Sequence, residues 1–142
     1  MEARPLIQVA CALLENTEGR LLIARRPAGK HLAGLWEFPG GKLEPGETAE
    51  AALKRELAEE LGCVAEAGAA LEPVTHAYEA VTVRLLPYLA RLVEGSPEPV
   101  AREHDALAWV TRDEISGYAM PAADGPIVAE WVALGRAGGG GK

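Results

Sequence analysis

One stretch constrains this chain more than any other: Gly41 to Cys63, GKLEPGETAEAALKRELAEELGC, a glycine-bearing loop running into an unbroken helical pattern. Pro45 and Gly46 set a turn, and Thr48 is placed to cap the first helical N–H groups with its hydroxyl. From Ala49 to Leu61 nothing breaks a helix, and alanine, leucine, glutamate and lysine all favour one. Leu53, Leu57 and Leu61 fall at i, i+4, i+8 and predict a stripe facing a core. Glu56, Glu59 and Glu60 fall at i, i+3, i+4 and share a different sector. Like charges on adjacent turns cost about 0.2–0.5 kcal/mol per pair, and Lys54 and Arg55 are expected outside that sector. The plain reading of the triplet is a solvated acidic face. The alternative is a hard-cation site, because Mg²⁺ takes carboxylate oxygens, retains waters and leaves room for substrate phosphates.

A chain of 142 residues suits one domain with a proper core. The net charge of −7, with no basic stripe, argues against a nucleic-acid polymer as partner. A small polyanion held through a bound cation stays allowed, since the cation reverses the local field. Cys11 and Cys63 lie in apolar surroundings and are expected as reduced core thiols. No apolar run is long enough for a signal peptide or a membrane span, so a cytoplasmic location is expected. Neither an internal repeat nor a second-domain boundary is visible. The domain is expected over residues 1–136, followed by AGGGGK (137–142) as a flexible glycine-rich tail.

In chain order, Leu6–Leu14 reads as a buried strand. Asn16–Gly19 supplies turn residues, and Leu21–Ala24 begins the return strand of a hairpin. Arg25 and Arg26 follow, with solvated or surface-paired side chains as their plain reading. His31 lies in a loop, where exposure is the ordinary state. Trp36 and Phe38 suit either a core or an apolar wall, with core the safer reading for Trp36. Gly40 lets the backbone come close to a ligand. Two strand-like runs lie between Thr75 and Leu92, and Pro87 in the second predicts an edge position or a bulge. Glu94–Val100 is a loop by composition, ALAWV (106–110) a strand, and Thr111 a plausible cap for a short helix. An amphipathic helix closes YAMPAADGPIVAEWVAL.

The central stretch resembles the Nudix box, G-x5-E-x7-R-E-U-x-E-E-x-G-U with U bulky and apolar. Gly41, Glu47, Arg55, Glu56, Leu57, Glu59, Glu60, Gly62 and Cys63 fill it in register. Only Cys63 departs from the usual branched aliphatic residue, and a buried thiol can serve as a small hydrophobe. The lead-in WEFPGG is similar to the MutT-like branch of that family and to its cytidine-nucleotide-hydrolysing relatives. The resemblance implies an α/β Nudix fold, an α/β/α sandwich with a mixed sheet. It implies hydrolysis of a nucleoside triphosphate, ordinary, oxidised or cytidine-type, to monophosphate and pyrophosphate. The cofactor would be Mg²⁺, with Mn²⁺ as a substitute. The implied metal ligands are the Gly40 carbonyl, Glu56, Glu59, Glu60 and Glu103, the last through its place in E-x5-W ending at Trp109. Glu56, Glu59 and Glu103 are the implied catalytic residues, with Glu56 favoured as general base and Glu103 next. Glu47 and Arg55 would pair to hold the loop on the helix.

Substrate contacts are expected from Arg26 (on phosphates), His31, Glu37, Phe38 and Asp124. Two readings stand for Asp124: an N-cap for the last helix, or a reader of the base. Where MutT itself carries an asparagine, ionised aspartate only accepts hydrogen bonds, which favours a base edge with N–H donors such as a cytosine amino group or guanine N1/N2. Two other functions compete. One is hydrolysis of a different nucleoside-diphosphate-linked substrate, such as ADP-ribose or a dinucleoside polyphosphate. The other is a silent nucleotide-binding module, which usually lacks box carboxylates that are all present here. The partner expected is a small nucleotide, with no membrane.

Overall fold

The computed structural model describes residues 5–140. The order is β1 (Leu6–Leu14), β2 (Leu21–Arg25), β3 (Trp36–Glu37), β4 (Gly40–Lys42), α1 (Ala49–Leu61), β5 (Ala65–Ala70), β6 (Val74–Ala77), β7 (Thr82–Leu92), β8 (Ala106–Val110) and α2 (Gly125–Gly140), with 3₁₀ turns at Ile115–Gly117 and Ala122–Asp124. A mixed five-stranded sheet runs β4-β1-β7-β5, with β6 also on β7; β1 and β7 are parallel and the other pairs antiparallel. A second, antiparallel sheet runs β3-β2-β8.

β1 is the spine of the core because both its faces are covered. Ala10, Ala12 and Leu14 pack with Leu53, Leu57 and Leu61 of α1. Cys11 and Leu13 point the other way and pack with Ile127 and Trp131 of α2. That alternation is the two-residue period of a strand, and it yields the expected α/β/α layering. α1 has the expected bounds, with the Thr48 hydroxyl accepting from Ala51 N and Gly62 closing the helix at φ 67°. Left-handed backbone is where glycine fits without strain. Both cysteines are buried and unbridged.

Two expectations are corrected and a third is narrowed. The turn at Asn16–Gly19 forms, with Asn16 Oδ1 accepting from Glu18 N and Arg20 N. β1 and β2, however, share only the bridge Glu15–Leu21 before β2 leaves for β3 and β8. Both strands are apolar on both faces, so each can be sheathed in a separate layer. Pro87 lies not at an edge but within β7, between β1 and the β5/β6 side; the alternative expectation, a bulge, is met next to it, where the β5–β7 register shifts between Ala67 and Ala70. Its carbonyl accepts from Leu71 N, and its missing N–H faces the same side, where β5 hands over to β6. Arg55, expected outside the acidic sector, reaches into it and contacts both Glu56 and Glu59. A long guanidinium stem spans more than one turn, which helical angle alone does not capture.

Thr111 caps as expected, its hydroxyl accepting from Glu114 N while Glu114 Oε1 accepts from Thr111 N, and the short helix that follows is the 3₁₀ turn Ile115–Gly117. The backbone is helical through Gly140, which takes in residues 137–140 of the segment read as a tail; residues 141–142 lie outside the described ones.

Candidate active site

The loop between β3 and α1 is shaped by two glycines in close contact with their surroundings. Gly40, at φ 149°, presses on the backbone of β1, where a Cβ would run into the Ala10 carbonyl. Gly41 lies beneath the Glu56 carboxylate, which would meet any Cβ placed there. Arg55 then ties loop to helix: Nε and Nη2 donate to the two oxygens of Glu47 at 2.8 and 2.9 Å, and Nη2 also reaches the Lys42 carbonyl. A bidentate pair of this kind fixes orientation as well as distance. The guanidinium, with the Glu44 backbone N–H next, holds the Glu47 carboxyl down to about 2.

Beside this loop opens a cleft of about 430 Å³. Glu60 and Glu103 line it with Gly40 and Glu37, and Arg26, Pro27, Lys30 and His104 complete the lining. Glu60 is only 6% exposed. Burial raises its proton affinity most, followed by contact with and charge from Glu56, then by Glu103 and Glu37, so the carboxyl is pushed up to about 9. The loop holding Glu103 is pinned on both sides, by Arg102 N to the Glu60 carbonyl (3.2 Å) and Asp105 N to the Arg25 carbonyl (3.1 Å).

Glu37 uses both of its oxygens within the protein: Oε1 takes Arg26 Nη1 at 3.0 Å and Oε2 takes His104 Nε2 at 2.7 Å. Burial alone would raise its pKa, yet these two bonds outweigh burial and hold it below the ordinary value. Phe38, next along the chain, turns the other way into the core with Cys11, Ile127 and Trp131. A substrate wall made by Phe38 is therefore corrected to a core contact, because successive residues of an extended chain face opposite sides. Trp36 is half-buried and stacks edge-on against Tyr118 at 5.1 Å, with Arg25 over its face.

The other expected residues divide. Arg26 faces the cleft, its Nε donating to the His31 carbonyl. The His31 side chain is exposed and does not line the cleft. The Glu59 side chain is 57% exposed and also lies outside the lining, whereas that of Glu56 is 17% exposed and abuts Glu60. Asp124 is 8% exposed, in the 3₁₀ turn ahead of α2. Burial, and then the Glu37 charge, push it up to about 7. Near neutrality it therefore carries a proton much of the time and can donate as well as accept.

Sequence reasoning missed His104 and Lys30. His104 adjoins Glu103 in REHD, and its signal was a histidine entering a strand beside an implied ligand. Lys30 had none, since a loop lysine is ordinarily solvated.

The donors suit a hard cation: buried and half-buried carboxylates crowd Glu60, and the glycine loop supplies backbone carbonyls. Among the described residues no three histidine, cysteine, aspartate or glutamate side chains already stand as a closed cage. Such a cation would thus take a carbonyl, waters or ligand oxygens as well, as Mg²⁺ commonly does.

The glycine loop, the capped helix and the two sheets beside this cleft agree with one family match. The chain belongs to the NUDIX domain family, whose model matches residues 10–130, and it is a Nudix hydrolase. It is 40% identical over 130 residues to the CTP pyrophosphohydrolase of Escherichia coli (strain K12), covering 91% of this chain and 93% of that one. It is 34% identical over 125 residues to the 8-oxo-dGTP diphosphatase of Haemophilus influenzae, covering 88% and 90%. Among solved structures it superposes on the E. coli ORF135 protein with a TM-score of 0.81 at 36% identity, covering 94% of each chain. No helix among the described residues is long and apolar enough to cross a membrane.

Proposed function

We propose that this cleft hydrolyses a nucleoside triphosphate to monophosphate and pyrophosphate with a divalent cation, Mg²⁺ by preference and Mn²⁺ as a substitute. The observation that carries this reading is the mixture of charge in the cleft. Arg26 and Lys30 line it together with Glu37, Glu60 and Glu103, and Glu56 abuts Glu60. The two basic side chains can meet phosphate oxygens directly, while the carboxylates repel them unless a cation intervenes. The carboxylates would hold that metal, with the Gly40 carbonyl as a further ligand.

When bound, the cation neutralises phosphoryl oxygens and lowers the pKa of water. Arg26 clamps phosphates through the guanidinium N–H groups that Glu37 and His31 leave free. Glu56 accepts the proton of the attacking water, being half-buried, ionisable and held by Arg55 at 3.1 Å. Glu103, on the cleft surface, is the second candidate for that role. Asp124, buried behind Glu37, reads the base edge. The relatives named for CTP and for 8-oxo-dGTP support a base with an exposed amino or N–H edge.

The test is a substrate panel with Mg²⁺, resolving nucleotide products and assaying pyrophosphate against phosphate. It covers the common ribo- and deoxynucleotides, 8-oxo-dGTP, 5-substituted dCTP, ADP-ribose and a dinucleoside polyphosphate. Monophosphate plus pyrophosphate from one triphosphate class is expected, with loss of turnover on chelation. Cleavage of ADP-ribose or the dinucleotide alone would replace the substrate. Binding without any turnover would make this a sensor.

A further inference from the structure

The cleft contains a chain of side chains that the proposed chemistry does not itself require. His104 Nε2 lies 2.7 Å from Glu37 Oε2, and Glu37 Oε1 lies 3.0 Å from Arg26 Nη1. Glu37 Oε1 already accepts from the Arg26 guanidinium, so the carboxylate serves as acceptor on its other oxygen too and the proton of the first bond sits on Nε2. His104 Nδ1 is buried and has no hydrogen-bond partner among the described residues. A lone pair left there costs less than a buried N–H without an acceptor, which again favours the neutral Nε2–H tautomer. The imidazole is 6% exposed, so it has little room to choose another partner.

Topology explains what this chain of contacts joins. β2 is flanked by β3, with Ala24 opposite Glu37, and by β8, with Arg25 opposite Ala106. The His104–Glu37 bond spans the end of β2 and links the loop that carries Glu103 to the wall that carries Arg26. The Glu103 loop and Arg26 are thereby tied together through side chains, beyond the last β2–β8 pair, Arg25 with Ala106.

We propose that His104 is a positioning residue: through Glu37 it aims the Arg26 guanidinium at the phosphates, and it holds the Glu103 loop in register with that guanidinium. This rests on the reading of the cleft as a triphosphate hydrolase. Glu37 is then an internal bridge and not a substrate ligand.

The experiment is a double-mutant cycle between His104 and Arg26, with steady-state kinetics on the preferred triphosphate in Mg²⁺. His104→Leu removes the donor, and His104→Gln places an amide N–H near the position of Nε2. His104→Leu is expected to raise KM about tenfold and His104→Gln to restore most of that. Arg26→Ala is expected to cost far less in the His104→Leu background than in the wild type. Costs that simply multiply, or a glutamine no better than leucine, would overturn the proposal. Should the leucine variant fail to fold, imidazole ¹⁵N spectra of the wild type decide: the Nε2–H tautomer supports the pair, and the Nδ1–H tautomer sinks it. If the wild type hydrolyses no triphosphate, the functional reading has failed, while the cycle measured by calorimetric binding of inorganic pyrophosphate still tests the pair.

Discussion

The Glu56 carboxylate rests directly on the backbone of Gly41, in the space a Cβ would occupy. The obstruction is the far end of a flexible side chain, so an alanine at 41 can be accommodated by moving Glu56. Gly41→Ala should therefore lower kcat by about 10²–10⁴, the range for losing a proton-transfer group, while the melting temperature stays within a few degrees of wild type. Gly40→Ala should behave in the opposite way, because there the obstacle is the Ala10 backbone and φ is 149°. That variant should melt earlier whatever its activity. Thermal melts paired with turnover at 25 °C separate the two outcomes.

Carboxylate-to-amide substitutions should be ranked by position in the cleft. Glu56→Gln and Glu60→Gln are expected to lose about 10²–10⁴ in kcat with folding intact. Glu59→Gln should lose less, since its side chain is 57% exposed and outside the lining. Equal losses at all three positions would mean that Glu59 swings inward when the metal and substrate bind.

Asp124 links stability to pH. Its carboxyl is raised from 3.8 to about 7, so the folded protein binds a proton there that the unfolded chain has released. Its contribution to stability is therefore fully present below about pH 4 and is lost as pH rises to about 7. The slope is at most about 1.4 kcal/mol per pH unit. Asp124→Asn, which stays neutral, should gain in melting temperature relative to wild type as pH is raised from 5 to 8. The same variant tests base reading by a changed preference among triphosphates.

Glu47 has the opposite sign. Its depressed carboxyl favours the fold above the ordinary value near 4.5, and that contribution disappears as pH falls toward 2. Arg55→Lys keeps a charge but loses the two-pronged contact. Acid titration followed by circular dichroism should show this variant unfolding at a higher pH than wild type, with kcat reduced because the loop beneath Glu56 is no longer fixed.

Helix α1 was legible from cap to last residue because everything that sets it is local: a threonine hydroxyl, thirteen residues without a breaker, and a leucine repeat. The family and its fold were legible for a related reason, since the spacing of carboxylates and glycines encodes a loop-to-helix geometry. β2 was misread as a hairpin partner because local turn chemistry is indifferent to which sheet the next strand joins. For Pro87 the sequence left edge and bulge open, and the choice depends on a hand-over between two strands, β5 and β6, that only the fold reveals. Phe38 and Glu37 show the same limit: adjacent residues face opposite sides, and only packing says which side is the cleft.

By itself the sequence determined the helix, the acidic set and the class of chemistry, since these depend on residue types at short, regular separations. Only the tertiary structure decided which members of that set converge. It brought Glu60 next to Glu103 across the chain, left Glu59 toward solvent, and joined Arg26, Glu37 and His104 end to end. Such relations depend on how strands from two sheets terminate around a common cleft, and the energy of a buried charge depends on every neighbour that excludes water from it.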